Sequence, residues 1–211
     1  MDAFFSLVLL SQVLRYRKEE QKCGENLTWS FDNFSKKLTI TGTGNMTDYS
    51  SDIKAPWDTF CTSIESIAIE NEVTSIGNYS FSGCSQLTTI TIPDNVTSIG
   101  SYAFYGCTSL ASINIPNNLT IISAGLFYNC KSLTNLNIPD NVTSIGSAAF
   151  YDCSSLISIN IPNSVTSINS SAFRGCTGLT SINIPNKLTC LNFKLFARCS
   201  SLTSITIPDS V

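Results

Sequence analysis

From Cys61 onward the hydrophobic and polar positions of this chain recur with a step of 23 residues. Cysteines stand at 61, 84, 107, 130, 153, 176 and 199, and prolines at 93, 116, 139, 162, 185 and 208 keep the same step. A fixed period of this length marks a tandem array. One unit reads C-x-x-L-x-x-I-x-I-P-x-x-V-T-x-I-G-x-x-A-F-x-G, seen most fully in Cys84 to Gly106 and Cys153 to Gly175, and Phe81, Phe104, Phe127, Phe150, Phe173 and Phe196 hold its bulkiest position. Six full units run from Cys61 to Arg198 and a seventh breaks off at Val211.

Each unit predicts one coil of a solenoid. Leu87, Ile90 and Ile92 end in alternation, as do their counterparts Leu110, Ile113, Ile115 and Leu179, Ile182, Ile184, which predicts a short strand. The proline that follows has no N–H to give to a ladder, so it closes the strand and turns the chain outward. Val96 and Ile99 then bracket a second extended piece. Gly77, Gly100, Gly146, Asn169 and Asn192 end that piece and suggest a positive φ, whereas Ser123 at the same place predicts a locally altered turn. The Ala-Phe pair begins a tight, single-turn helical connection, and Gly83, Gly106, Asn129, Asp152 and Gly175 make the last corner before the cysteine. Parallel strands stacked at about 4.8 Å would give a sheet about 29 Å long from Ile67 to Ile205. One coil cannot bury its own apolar side, so stability comes from stacking.

The organisation expected is therefore a leader over 1–22, a β cap over 23–60 and the solenoid over 61–211. Leu27, Trp29 and Phe31 alternate, and Leu38 and Ile40 follow an Asp-Asn turn, which predicts a β-hairpin covering the apolar end of the array together with Trp29 and Trp57. At the other end Pro208-Asp209-Ser210-Val211 stops in mid-unit, so end-to-end association through an uncapped last repeat is an expectation. Ala3 to Leu14 is apolar but shorter than the roughly 20 residues of a membrane span. It fits either the h-region of a secretion signal or a leader without that role, since Asp2 precedes it and Arg15, Arg17 and Lys18 follow it.

Composition narrows the function. Only 13% of residues are charged, and Ser, Thr and Asn supply the surface instead. A formal net charge of −3 with no basic stripe disfavours nucleic acid and anionic membranes. The chain has no histidine, which removes Ser-His and Cys-His nucleophilic sites. The carboxylates Asp94, Asp140 and Asp209 recur as turn formers, so no catalytic residue, metal site or cofactor is expected. Seven of the nine cysteines share one inward repeat position, read as buried free thiols, with serial bridges between rungs as the alternative and Cys190 as the more accessible thiol.

IPDNVTSIG followed by A-F-x-x-C-x-x-L resembles the BspA-like leucine-rich repeat family over residues 61 to 211, and Cys23 to Phe31, Thr41 to Gly44 and Ala55-Pro56-Trp57 resemble the entry region before such arrays. The resemblance implies a right-handed leucine-rich solenoid, α/β by convention and mostly β with short helical turns, whose parallel sheet takes one strand from each unit. It also implies a noncatalytic surface protein, an adhesin or antigen contacting a host or matrix protein or glycoprotein, with an intracellular interaction scaffold or a fragment of a longer repeat protein as alternatives. Fold alone does not choose among these.

Two outward surfaces compete for a partner. On the strand side Thr91, Asn114, Asn137, Asn160, Asn183 and Thr206 form one file, with Thr89, Ser112, Asn135, Ser158, Ser181 and Ser204 beside it. These side chains either bond a partner or bond one another as internal ladders. On the other side Tyr105, Tyr128, Tyr151 and Arg174 each follow an inward Phe, as rings packed over the core or as an interface. Of eight N-x-S/T sequons, Asn95, Asn118 and Asn141 share a repeat site where secretory passage would place glycans in a row.

Overall fold

The computed structural model describes residues 21–211, so the apolar segment Ala3–Leu14 lies outside the described residues. The chain opens with an antiparallel hairpin of β1 (Asn26–Asp32) and β2 (Lys37–Asn45), Trp29 opposite Ile40. Its turn is an Asx type: the Asp32 carboxylate accepts the Phe34 N–H at 3.0 Å and the Ser35 hydroxyl at 2.6 Å, and Lys36 takes a φ of 54°.

β2 is long enough to start two ladders. Its first half pairs in parallel with β3 (Ser66–Ile69), and its end pairs with β4 (Val73–Ile76) across a register shift at Gly44/Asn45. β3 then pairs with β5 (Thr89–Thr91), and β4 with β6 (Ser98–Ile99). The second extended piece of the unit thus builds its own column, continued by β7 (Ile121–Ile122), β8 (Ser144–Ile145) and β10 (Ser167–Ile168). The predicted strand column is present at β9 (Ser158–Ile159) and β11 (Ser181–Ile182), with a bridge at Asn137 and Asn160, but no regular strand forms at Ser112–Asn114 or Ser204–Thr206. The sheet from Ile67 to Ile205 is therefore interrupted. Because proline closes each segment without a donor, the coil is held at the segment's start instead: Thr134, Ile157 and Thr180 N–H donate to Ala111, Thr134 and Ile157 O at 3.2, 3.2 and 3.0 Å.

The Ala-Phe connection stops short of a helix. Its N–H groups reach back three residues, as in Cys84 to Phe81 O and Tyr105 to Tyr102 O, while Phe81 and Gly83 donate forward to Ala103 and Tyr105 of the next coil. The one helical turn among the described residues is the 3₁₀ piece Asp58–Phe60.

Gly77, Gly100 and Gly146 do not take positive φ, contrary to expectation. A Cβ there would collide with Thr47 O, Asn78 N and Ala124 N of the preceding layer, so these glycines permit close approach rather than a left-handed turn. Asn192 and Ser123 occupy the same place by donating to Ile168 O and Ile99 O of the preceding coil. Positive φ falls two residues later, at Tyr79, Tyr102, Gly125, Ala148, Ser171 and Lys194, between 53° and 59°. The coil containing Ser123 shares that conformation through Gly125, so its turn is not altered. The last corner behaves as predicted, with Gly83, Gly106, Asn129, Asp152 and Gly175 at 80°, 70°, 62°, 55° and 76°.

Inside the coils the repeat columns meet. Phe81, Phe104, Phe127, Phe150 and Phe173 are fully buried, and with Phe196 they stack at 5.2–5.9 Å between ring centroids. Trp57 fills the seat before Phe81, 5.6 Å away, and its indole N–H donates to Ser80 O at 2.7 Å. The cap thereby begins the column with a ring of its own, which covers the Phe81 face at this side of the stack.

Candidate functional site

All twelve residues of the two strand-side files are exposed. The alternation in each segment aims Ile90, Ile113, Ile159 and Ile182 inward or partly inward and leaves the flanking Thr, Ser and Asn outside. Among the described residues, Asn183 alone of the twelve makes side-chain hydrogen bonds: its Oδ1 accepts the Ile161 N–H at 2.9 Å and its Nδ2 donates to Ile161 O at 2.7 Å. Ladder bonding falls one position away from the files. Thr88, Thr134 and Thr180 hydroxyls donate to Glu65, Ala111 and Ile157 O of the preceding coil. Apart from Asn183, the outer files thus leave their side-chain donors and acceptors to solvent. A cavity of about 580 Å³ opens on this side, with Ser158, Asn160, Ser181, Asn183 and Thr206 in its wall and no ionisable side chain.

On the turn side the rings consume one another's faces. Tyr105 and Tyr128 lie 5.1 Å apart, Tyr128 and Tyr151 lie 4.4 Å apart at 6°, and the Arg174 guanidinium covers Tyr151 at 5.2 Å. The file is longer than the sequence reading gave. Tyr79 and Tyr102 stack at 4.9 Å, and Tyr102 meets Tyr105 edge-on at 6.2 Å. Their own spacing of 23 residues carried the signal, but the slot holds Gly125, Ala148, Ser171 and Lys194 in later units. A Cβ on Gly125 would run into the Tyr102 ring, so the glycine makes room for it. Burial first, and then neighbouring phenols, push the Tyr128 hydroxyl above its ordinary pKa.

The sequon asparagines Asn95, Asn118 and Asn141 are exposed, and each donates its Nδ2 to the preceding coil, to Asn71, Asp94 and Asn117 O at 2.7, 2.9 and 2.8 Å. The atom that would carry a glycan is therefore in use as a stacking contact.

In the cysteine ladder, Cys107, Cys130, Cys153, Cys176 and Cys199 are free and buried, and their thiols donate to the carbonyls of Phe81, Phe104, Phe127, Phe150 and Phe173 at 3.0–3.2 Å. Burial pushes the Cys130 thiol up to about 12 and raises Cys107, Cys153 and Cys176 as well. The reading of the ladder as free thiols holds from Cys107 onward and gives way at its first two rungs to the alternative, a serial bridge. Cys61 and Cys84 are joined by a disulfide, with Cα atoms 4.1 Å apart. The place that Phe81 holds for Cys107 is held for Cys84 by Asp58, in the 3₁₀ turn of the cap. Cys190 is exposed, as its departure from the repeat predicted.

Stacked 23-residue coils, two short parallel ladders and a single Phe-Cys-Leu core define a leucine-rich repeat solenoid. The chain belongs to the BspA type leucine rich repeat region family, whose six-copy match covers residues 58–176 and 144–211. It is similar in structure to a T. pallidum leucine rich repeat protein (26% identity, 86% of this chain and 90% of that one, TM-score 0.65). It is similar as well to a leucine-rich repeat protein from Bacteroides ovatus (28%, 88% and 46%, 0.66) and to a leucine rich cell surface protein from Faecalibacterium prausnitzii (30%, 88% and 54%, 0.67). The chain thus spans about half the length of the last two. No curated protein matches it. Leucine-rich repeats of this kind are generally noncatalytic and serve protein interaction.

Proposed function

We propose that the protein is a binding module of the cell surface, an adhesin or surface antigen, and that the strand-side files hold a host or matrix protein or glycoprotein. The observation that carries this reading is the pair of exposed polar files, of which Asn183 alone bonds internally. A partner's backbone amides or sugar hydroxyls would satisfy the rest, and the uncharged wall of the cavity selects against ions. The similarity to a leucine rich cell surface protein supports the location. An intracellular scaffold is the second reading, favoured by five free ladder thiols and an exposed Cys190.

The test has two parts. Intact source cells are labelled with an impermeant amine reagent, and the protein is expected to be tagged while a cytosolic control is not; an untagged, detectably expressed chain moves the reading to the scaffold. In parallel, the chain is offered to immobilised matrix proteins and mucins. Ser158→Ala/Asn160→Ala/Ser181→Ala is expected to lose the affinity that Tyr105→Phe/Tyr128→Phe/Tyr151→Phe keeps, and the reverse result assigns binding to the tyrosine side.

A further inference from the structure

We propose that Tyr128 and Tyr151 form an oxidative cross-linking site, at which a one-electron oxidant of the haem peroxidase and hydrogen peroxide type produces an intrachain dityrosine bond. Their centroids, 4.4 Å apart, make them the closest aromatic pair among the described residues, and the ring planes are within 6° of parallel. Stacked at this separation the two rings are close to van der Waals contact, so a small slide within the stack brings carbons ortho to the hydroxyls together. Both rings are half-buried, open to electron loss yet fixed by the stack, whereas the phenylalanine rings beneath them are sealed and carry no phenol.

The step balances. Each phenol gives up one electron to the oxidant and its hydroxyl proton to solvent, forming two phenoxyl radicals. Their unpaired spin density lies partly on the ortho carbons; these join in a new C–C bond, and each carbon then loses its hydrogen as a proton to the phenolate-type oxygen while the ring regains aromaticity. Overall, two tyrosines and one hydrogen peroxide yield one dityrosine and two waters. Arg174 over the Tyr151 ring opposes a positively charged radical, so the electron leaves with the proton. Tyr105 at 5.1 Å from Tyr128, and Tyr102 at 6.2 Å from Tyr105, extend the region over which an initial radical migrates to the pair. The ladder thiols are buried away from the tyrosine surface and do not intercept it, which leaves exposed Cys190 as the competing hydrogen-atom donor.

The experiment treats dilute full-length Cys190→Ser protein with a haem peroxidase and hydrogen peroxide, follows dityrosine fluorescence, and maps the product by mass spectrometry. The expected product is a monomer lacking two hydrogen atoms, with one bond linking the peptides that contain Tyr128 and Tyr151. Tyr128→Phe or Tyr151→Phe, each retaining the ring, should abolish that species and most of the fluorescence, while Tyr79→Phe leaves both in place. Circular dichroism confirms that each variant remains folded. Cross-links confined to dimers, a yield unchanged by Tyr151→Phe, or no coupling while free N-acetyltyrosine couples in the same tube would overturn the site.

Discussion

The two sides of each coil meet the same stacking requirement with opposite chemistry. On the turn side, Phe, Tyr and Cys direct their contacts along the stack: rings lie on rings, and thiols donate to the Phe carbonyls of earlier coils. On the strand side the columns that bond along the stack are displaced by one residue from those that face outward, so Thr134 bonds Ala111 O while Asn135 and Asn137 face solvent. Contacts along the stack are thus concentrated on one side, and side chains left to solvent on the other, the side proposed for recognition. A partition of this kind predicts that substitutions separate into those that unfold the chain and those that only weaken binding.

The largest expected break comes from pH. A thiol whose folded pKa is raised contributes stability that is whole below its unfolded value near 9 and is lost as pH rises toward the folded value, about 12 for Cys130. Each such group costs about 1.4 kcal/mol per pH unit within that window. Cys107, Cys153 and Cys176 shift in the same direction, so their sum exceeds any single deletion. Urea midpoints should fall steeply above about pH 9, and Cys130→Ala should shallow the slope; a flat profile to pH 10 would mean the ladder is not sealed. Next is Phe127→Ala, which empties a fully buried seat and should cost about 3–5 kcal/mol by chemical denaturation. Phe193→Ala, at a ring 70% exposed, is the control and should change stability by less than about 0.5 kcal/mol.

The solenoid, its core columns and its hairpin were legible because a period of 23 is a linear signal that side-chain identity reports directly, and Phe127, Cys130 and Leu133 needed only to be counted. Gly77 and Gly100 were misread because glycine answers two different demands, positive φ and absence of a Cβ, and the letter is the same for both. Tyr102 was missed as part of the tyrosine file because its slot changes identity at Gly125. The alternation that leaves the strand-side files exposed was legible, but whether an Asn bonds down the stack or faces water is set by backbone placement that the letter does not report. Identical letters at Asn160 and Asn183 conceal different states.

That pair sharpens the comparison most closely, because the two residues share a repeat position, a side chain and an exposure class. Asn183 holds both the N–H and the C=O of Ile161, so Asn183→Ala removes two bonds and leaves two backbone groups to water, a loss of about 1 kcal/mol. Asn160 bonds nothing through its side chain among the described residues, so Asn160→Ala should leave the midpoint within about 0.5 kcal/mol while lowering affinity for a captured partner. Denaturation and binding measured on both variants give four numbers that must cross: stability falling at 183, affinity falling at 160. Equal stability losses would show that the outward file is an internal ladder after all, and equal affinity at 160 would move recognition off this wall of the cavity.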